Sequence, residues 1–234
     1  MKASLSDQAY DVLKRAIMTC ELEPGLRIAQ PQIVEKYNLG VTPAREALKR
    51  LEQEGYVQSI PRFGYVISEI SIVDIQEIYE LRMILETAAV RAAAVRVNDR
   101  QLKEIERSAT FTYTYRDRNS YFEFLNMNTR FHAQIALLTG NRRLADLIAK
   151  LLDDMTRIFH LGLDLRDSAE EMRNEHLALV KALEQHDPDH AENLIREQIL
   201  RSQQRVVEML NYRLIHRPQA TTGENLETVL EGEA

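Results

Sequence analysis

The chain has no tryptophan and only one cysteine, Cys20, among its 234 residues. A single thiol cannot close an internal disulfide, which excludes the cystine-stapled secreted scaffolds. A run of about twenty apolar residues, the length that crosses a bilayer, is also missing, as is an apolar opening stretch of signal-peptide type. The chain is therefore expected to be soluble and cytoplasmic, with no membrane partner. Glycine and proline number only 8 and 6, and their distribution is informative. Between residues 73 and 212, Gly140, Gly162 and Pro188 are the only ones, a scarcity that suits long helices and leaves no place for frequent β-turns. A basic excess is absent too, since the net charge is −6. A protein that grips any duplex by bulk charge is thereby excluded.

What is present is most distinctive near the start. Residues 6–19 place Ala9, Val12, Leu13, Ala16 and Ile17 on one helical face, and a second short helix is predicted over 32–37, just after Pro31. A third begins at Thr42, a good N-cap, followed by Pro43 at the first helical position. Its apolar stripe is Ala44, Ala47, Leu48 and Leu51, and Arg45 and Lys49 stand one turn apart on the opposite face. Gly55 ends it, and residues 56–60 and 65–67 read as two strands around a Pro61-Arg62-Phe63-Gly64 turn.

Helix, helix, helix, hairpin is an order that can set a cationic helix into a DNA major groove. Arg45 is placed to read guanine with its planar pair of donors, while Lys49 and Arg50 suit phosphates. Arg62 and Gly64 at the hairpin tip could approach a minor groove. The competing reading of an isolated Arg and Lys pair is a solvated helix face; the hairpin beside it favours DNA. Residues 1–69 hold nine Lys or Arg and nine Asp or Glu, so the whole net negative charge lies in the remainder. A neutral head with a local basic stripe depends on correct contacts, and on two heads acting together.

The rest has a different texture. Apolar residues recur at three and four, giving a long helix over 75–95 and about five more over 102–107, 121–138, 143–159, 168–185 and 188–212. The fold class is mostly α: a winged helix-turn-helix over 1–69, an antiparallel bundle of about six helices over 70–216, and a flexible acidic tail over 217–234. Asn128 and His132, one turn apart on one predicted helix, face the same way. A helical His is otherwise a satisfied core or surface residue. His160, His186, His190 and His216 share no face with that set and read as solvated. Tyr113 and Tyr115 read as packing, or as the wall of a pocket.

Residues 5–68 resemble the winged helix-turn-helix domain of the GntR family of bacterial transcriptional regulators. The resemblance is carried by Thr42-Pro43-Ala44-Arg45-Glu46-Ala47-Leu48-Lys49-Arg50-Leu51-Glu52. It implies that Thr42 and Arg45 contact operator DNA and that the Gly64 tip is the wing. Relatives often carry Ser or Thr followed by Arg ahead of this Thr-Pro, where this chain has Gly40 and Val41; fewer base contacts, or more reliance on DNA shape, follow.

The bundle is similar to the FCD domain of the FadR subfamily, in its shorter VanR-like form. The residues that carry this are Asp74 to Arg82 with Glu86, Phe131-His132 with Thr139-Gly140-Asn141, and Glu175-His176 with Ala182, Asp187 and Ala191. That domain dimerises and binds a small effector, commonly through one Asp and three His around a divalent metal that holds a carboxylate. Here Asn128 and Gln198 stand at the Asp and third His positions, leaving His132 and His176 as strong ligands for zinc or nickel. The expectation is a polar pocket in which Asn128, His132, His176 and Gln198 bond the effector directly, with weak metal binding as the alternative. Arg82 either pairs with an effector carboxylate or serves as a salt-bridge partner of Glu86.

The function expected is a dimeric regulator, more often a repressor, whose operator affinity is set by a small acidic metabolite. A metal-responsive regulator without an organic effector is one alternative. A metal-dependent hydrolase is another, though the chain has neither HExxH nor a nucleophile elbow.

Overall fold

The computed structural model describes residues 4–215. The tail expected over 217–234, and His216, lie outside them.

The first helix, α1 (Leu5–Met18), starts at Ser4, whose side chain accepts from the Asp7 amide in a capping box. A two-residue strand, β1 (Arg27–Ile28), precedes α2 (Gln30–Lys36) and α3 (Val41–Gln53). The hairpin strands β2 (Val57–Ile60) and β3 (Gly64–Ile67) then pair with β1 in an antiparallel sheet of order β1-β3-β2. Ile28 stands opposite Tyr65, and Ser59 opposite Tyr65 from the other side. Leu13, Ile17, Ile33, Leu48, Leu51 and Ile67 fill the small core beneath.

Two local expectations are corrected here. Helix α3 begins earlier than Thr42: Gly40 is the extended N-cap residue, and the Ala44 amide donates to its carbonyl at 3.0 Å. Pro43 is thus the third helical residue, which is tolerated because amides of the first turn have no intrahelical acceptor. The strand β1 was not anticipated, and it explains Gly64. With φ at +110°, a Cβ there would meet the Ile28 carbonyl oxygen at 2.8 Å, so glycine is what lets β3 lie against β1.

Six helices follow: α4 (Ile72–Ala94), α5 (Asp99–Ala109), α6 (Arg118–Leu137), α7 (Arg142–Leu165), α8 (Ala169–Glu184) and α9 (Pro188–Ile215). Helix α4 packs against α6, α7, α8 and α9, and α6 lies along α7. Tyr79, Phe131, Ile158, Leu179, Ile195 and Ile199 are among the residues closing the main core. Helix α5 is longer than expected because Asn98 and Gln101 form a capping box ahead of its apolar stripe.

Helix α7 also runs past residue 159, and this overturns the reading of His160 as solvated. One more inward turn puts its ring at 0% exposure, 3.2 Å from the Arg118 carbonyl and edge-on to Tyr121. Tyr113 packs against Tyr121 and Phe124, and its hydroxyl accepts from the Ser168 amide at 2.7 Å. His186 and His190 are exposed. Among the described residues no helix is long and apolar enough to cross a membrane.

Candidate effector site and DNA-binding face

Four helices place polar side chains inside the bundle. Helix α4 supplies Tyr79, Arg82 and Glu86, α6 supplies Asn128 and His132, α8 supplies His176, and α9 supplies Gln198 and Ser202, all buried. Arg82 and Glu86 are one turn apart and bond at 2.6 Å, Nε to Oε1. The other carboxylate oxygen lies 2.8 Å from His132 Nδ1. The His132 and His176 rings meet edge to face with centroids 5.5 Å apart, and Phe131 stacks on His176 at 4.3 Å. Tyr79 and Ser202 share a hydroxyl hydrogen bond of 2.8 Å.

Charge in this interior is balanced but not exhausted. Burial alone would raise the Glu86 carboxyl, yet the Arg82 guanidinium and then His132 outweigh it and bring the pKa down to about 2. Burial, with His132 and Arg205 nearby, holds His176 well below its ordinary range, so its ring is neutral. Arg82 Nη1, Glu86 Oε2, both nitrogens of His176 and Gln198 Oε1 have no hydrogen-bond partner among the described residues, the Glu86 oxygen despite its 2.8 Å approach to His132 Nδ1. Native interiors rarely leave such groups unpaired, and five such atoms in one core make it a candidate ligand site.

A divalent metal fits this donor set poorly. His132 Nδ1 faces Glu86, and beyond that pair the donors are one nitrogen of His132, the His176 imidazole and the amides of Asn128 and Gln198, none of them anionic. No group of three or more His, Cys, Asp or Glu suited to a metal occurs among the described residues.

In the head, Thr42, Arg45 and Lys49 are exposed on α3. Arg45 forms no hydrogen bond or ion pair among the described residues, nor does Arg62 at the hairpin tip, where it takes φ of 70° beside a 74% exposed Phe63. Arg50 is also engaged within the head. It stacks on Tyr10 at 3.6 Å and reaches both Asp7 and Glu54, which ties α3 to α1 and leaves its guanidinium less free for a phosphate.

The comparisons with known proteins match these two regions separately. Residues 5–67 match the bacterial regulatory proteins of the gntR family, and residues 77–201, more than half of the chain, match the FCD domain. The chain belongs to the GntR family. It is a transcriptional regulator with an FCD effector-binding domain, not an enzyme.

Similar GntR-family proteins include the transcriptional repressor RspR of Escherichia coli K12, 23% identical over 195 residues that span 83% of this chain and 86% of that protein. The repressor NanR of Enterobacter is 25% identical over 219 residues, 85% and 84% of the two chains. Among solved structures, E. coli McbR/YncC superposes with a TM-score of 0.69 at 23% identity, covering 90% of this chain and 99% of its own. A putative GntR regulator from Rhodococcus gives 0.66 at 19% identity, with 88% and 99% covered. Both share the fold.

Arg82, Asn128, His132, His176 and Gln198 are each buried in the bundle of this GntR-family chain, and the contacts run from Arg82 through Glu86 and His132 to His176. Sequence reasoning missed Glu86 as the group that fixes His132, and the Tyr79 to Ser202 pair. Glu86 stood one turn from Arg82 and was legible as its partner; its approach to α6 was not.

Proposed function

We propose that this regulator acts as a homodimeric repressor, in the cytoplasm, whose hold on operator DNA is set by a small carboxylate-bearing metabolite in the bundle. The head over 1–69 supplies DNA contacts from Thr42, Arg45, Lys49, Arg62 and Gly64, with Arg50 bracing them. The domain over 70–216 supplies the ligand site and the dimer. The observation that carries this reading is the set of unpaired buried atoms, Arg82 Nη1, Glu86 Oε2, the His176 nitrogens and Gln198 Oε1. A carboxylate would satisfy the guanidinium, and hydroxyl or amine groups on the same molecule would satisfy the amide and the imidazole. The names of RspR and NanR as repressors favour repression.

A cavity of about 50 Å³ reaches Ser202 and Arg205 but is lined by none of Arg82, Asn128, His132, His176 and Gln198. Those five side chains are themselves almost wholly buried, so a metabolite must part the helices to reach them. Binding then favours a different arrangement of α4, α6, α8 and α9, and operator affinity changes by the ligand's differential affinity for the two arrangements, typically about 1 to 3 kcal/mol.

Genomic fragments selected on the purified protein would supply an operator. Retardation of that fragment would then be measured across a panel of hydroxy and keto acids. Release by an acid that wild type binds, abolished in Arg82→Met and His176→Leu variants of intact fold, is the expected result. A ligand that still acts on both variants would sink the site assignment.

A further inference from the structure

The head does not hang freely on the bundle. Arg15 of α1 lies over the Phe122 ring of α6 at 4.9 Å, and α1 also touches α7. Two crevices of about 360 and 350 Å³ flank this seam. One is bordered by Lys14, Met18 and Asp153, the other by Tyr56, Ser68 and Arg157. On the wall of the second, Arg157 of α7 is 6% exposed.

Its connections are unusual for a buried cation. Nη2 donates to the carbonyl of Ser68 at 2.5 Å, just after β3, and its own backbone carbonyl accepts from Cys20 Sγ at 3.4 Å, just after α1. One residue of α7 thus holds two separate points of the head. Arg157 makes no ion pair among the described residues, and its Nε has no hydrogen-bond partner there. Burial pushes its pKa down, with Cys20, Tyr56 and Glu69 only partly opposing. A desolvated cation facing a neutral acceptor is penalised for as long as the seam is shut, and water relieves that penalty when it opens. Closure is therefore held by the contacts and opposed by the charge, which is how a two-state element keeps a small gap between its states. Helix α7 lies along α6, the carrier of Asn128 and His132, so it is in contact with whatever the buried site does.

We infer that Arg157 is the positioning residue that sets the docked orientation of the DNA-binding head, and that displacement of α7 from the linker at Ser68 releases it. This goes beyond the ligand reading and does not depend on which ligand binds.

Cys20 is a built-in reporter, being the only cysteine of the chain and 1% exposed. Its thiol reacts when the seam opens. The rate of reaction of the full-length protein with a chromogenic aromatic disulfide would be followed in wild type, Arg157→Ala and Arg157→Lys, as a function of urea. Wild type is expected to react with a shallower urea dependence than global unfolding, because only the seam is exposed. The alanine variant should react at least about tenfold faster, and lysine, which keeps a donor, should recover most of the wild-type rate. Equal rates in wild type and the alanine variant overturn the proposal. So does a wild-type urea slope as steep as that of unfolding, a test that stands even where a variant fails to fold.

Discussion

His132 Nδ1 and Glu86 Oε2 lie 2.8 Å apart, inside a bundle where both side chains are almost wholly excluded from water. That close approach sets the His132 ring against α4, while Arg82 Nε bonds the other carboxylate oxygen at 2.6 Å and Glu86 Oε2 keeps no hydrogen-bond partner. The approach orients the ring as a carboxylate orients a metal-bound histidine, although here the remaining donors are amides and imidazole.

Glu86→Gln removes the charge that balances Arg82 and the acceptor that fixes His132. Breaking a buried pair from one side costs about 3 to 5 kcal/mol, whereas replacing both partners with apolar residues costs far less. Urea titration at pH 7 should therefore show a large loss for the glutamine variant and a partial recovery in Arg82→Met with Glu86→Leu. A loss under about 1 kcal/mol in the single variant would mean the pair is hydrated, against its burial.

Acid should weaken the fold in two stages. The His176 pKa is held well below 6.5, so below that pH the unfolded chain takes up a proton that the folded chain refuses, and stability falls. Glu86 is brought from 4.5 down to about 2; its contribution is present above 4.5 and is lost as pH falls toward 2. Both act in one direction. His176→Leu should flatten the decline between pH 7 and 5 and leave the more acid limb in place, as read from urea midpoints at each pH.

Much of this was visible in the sequence. The near absence of glycine and proline after residue 73, with apolar residues at three and four, made the six bundle helices legible, and the one-turn spacing of Asn128 and His132 put both on an inner face. Arg157 was not legible, because an arginine in an amphipathic helix ordinarily reads as a solvated charge; only the placement of the head over α7 buries it. A strand of two residues such as β1 has no periodicity to read. Thr42-Pro43 looked like a helix start because both residues favour that role, yet the first turn has room for proline at its third position.

Arg45→Ala should abolish specific operator binding with the fold unchanged by circular dichroism. Arg50→Ala should instead lower the thermal midpoint, since it releases Tyr10, Asp7 and Glu54 together. Should the two variants show the same pattern, the division between a reading and a bracing arginine would be wrong.

Metal affinity offers a test by gain. Purified without tag or chelator, the wild type should carry no stoichiometric zinc or nickel, because its donor set lacks an anion. Asn128→Asp combined with Gln198→His supplies one carboxylate and a third imidazole, and nickel affinity by calorimetry should rise at least about a hundredfold. Near one metal per chain in the wild type, lost in a His132→Ala, His176→Ala variant, would show that the amides complete a site after all.

Helix α4 starts at Ile72, almost at once after β3, and runs 23 residues without a glycine or proline. At 1.5 Å per residue, Glu86 stands about 22 Å along it from the Ser71 cap. A stiff rod of that length converts angle into travel: a tilt of about 5° around Glu86 carries the strand end by about 2 Å, on the order of the error a base-reading side chain cannot absorb. Any tilt of α4 set at the level of Glu86 is therefore magnified by the time it reaches the hairpin.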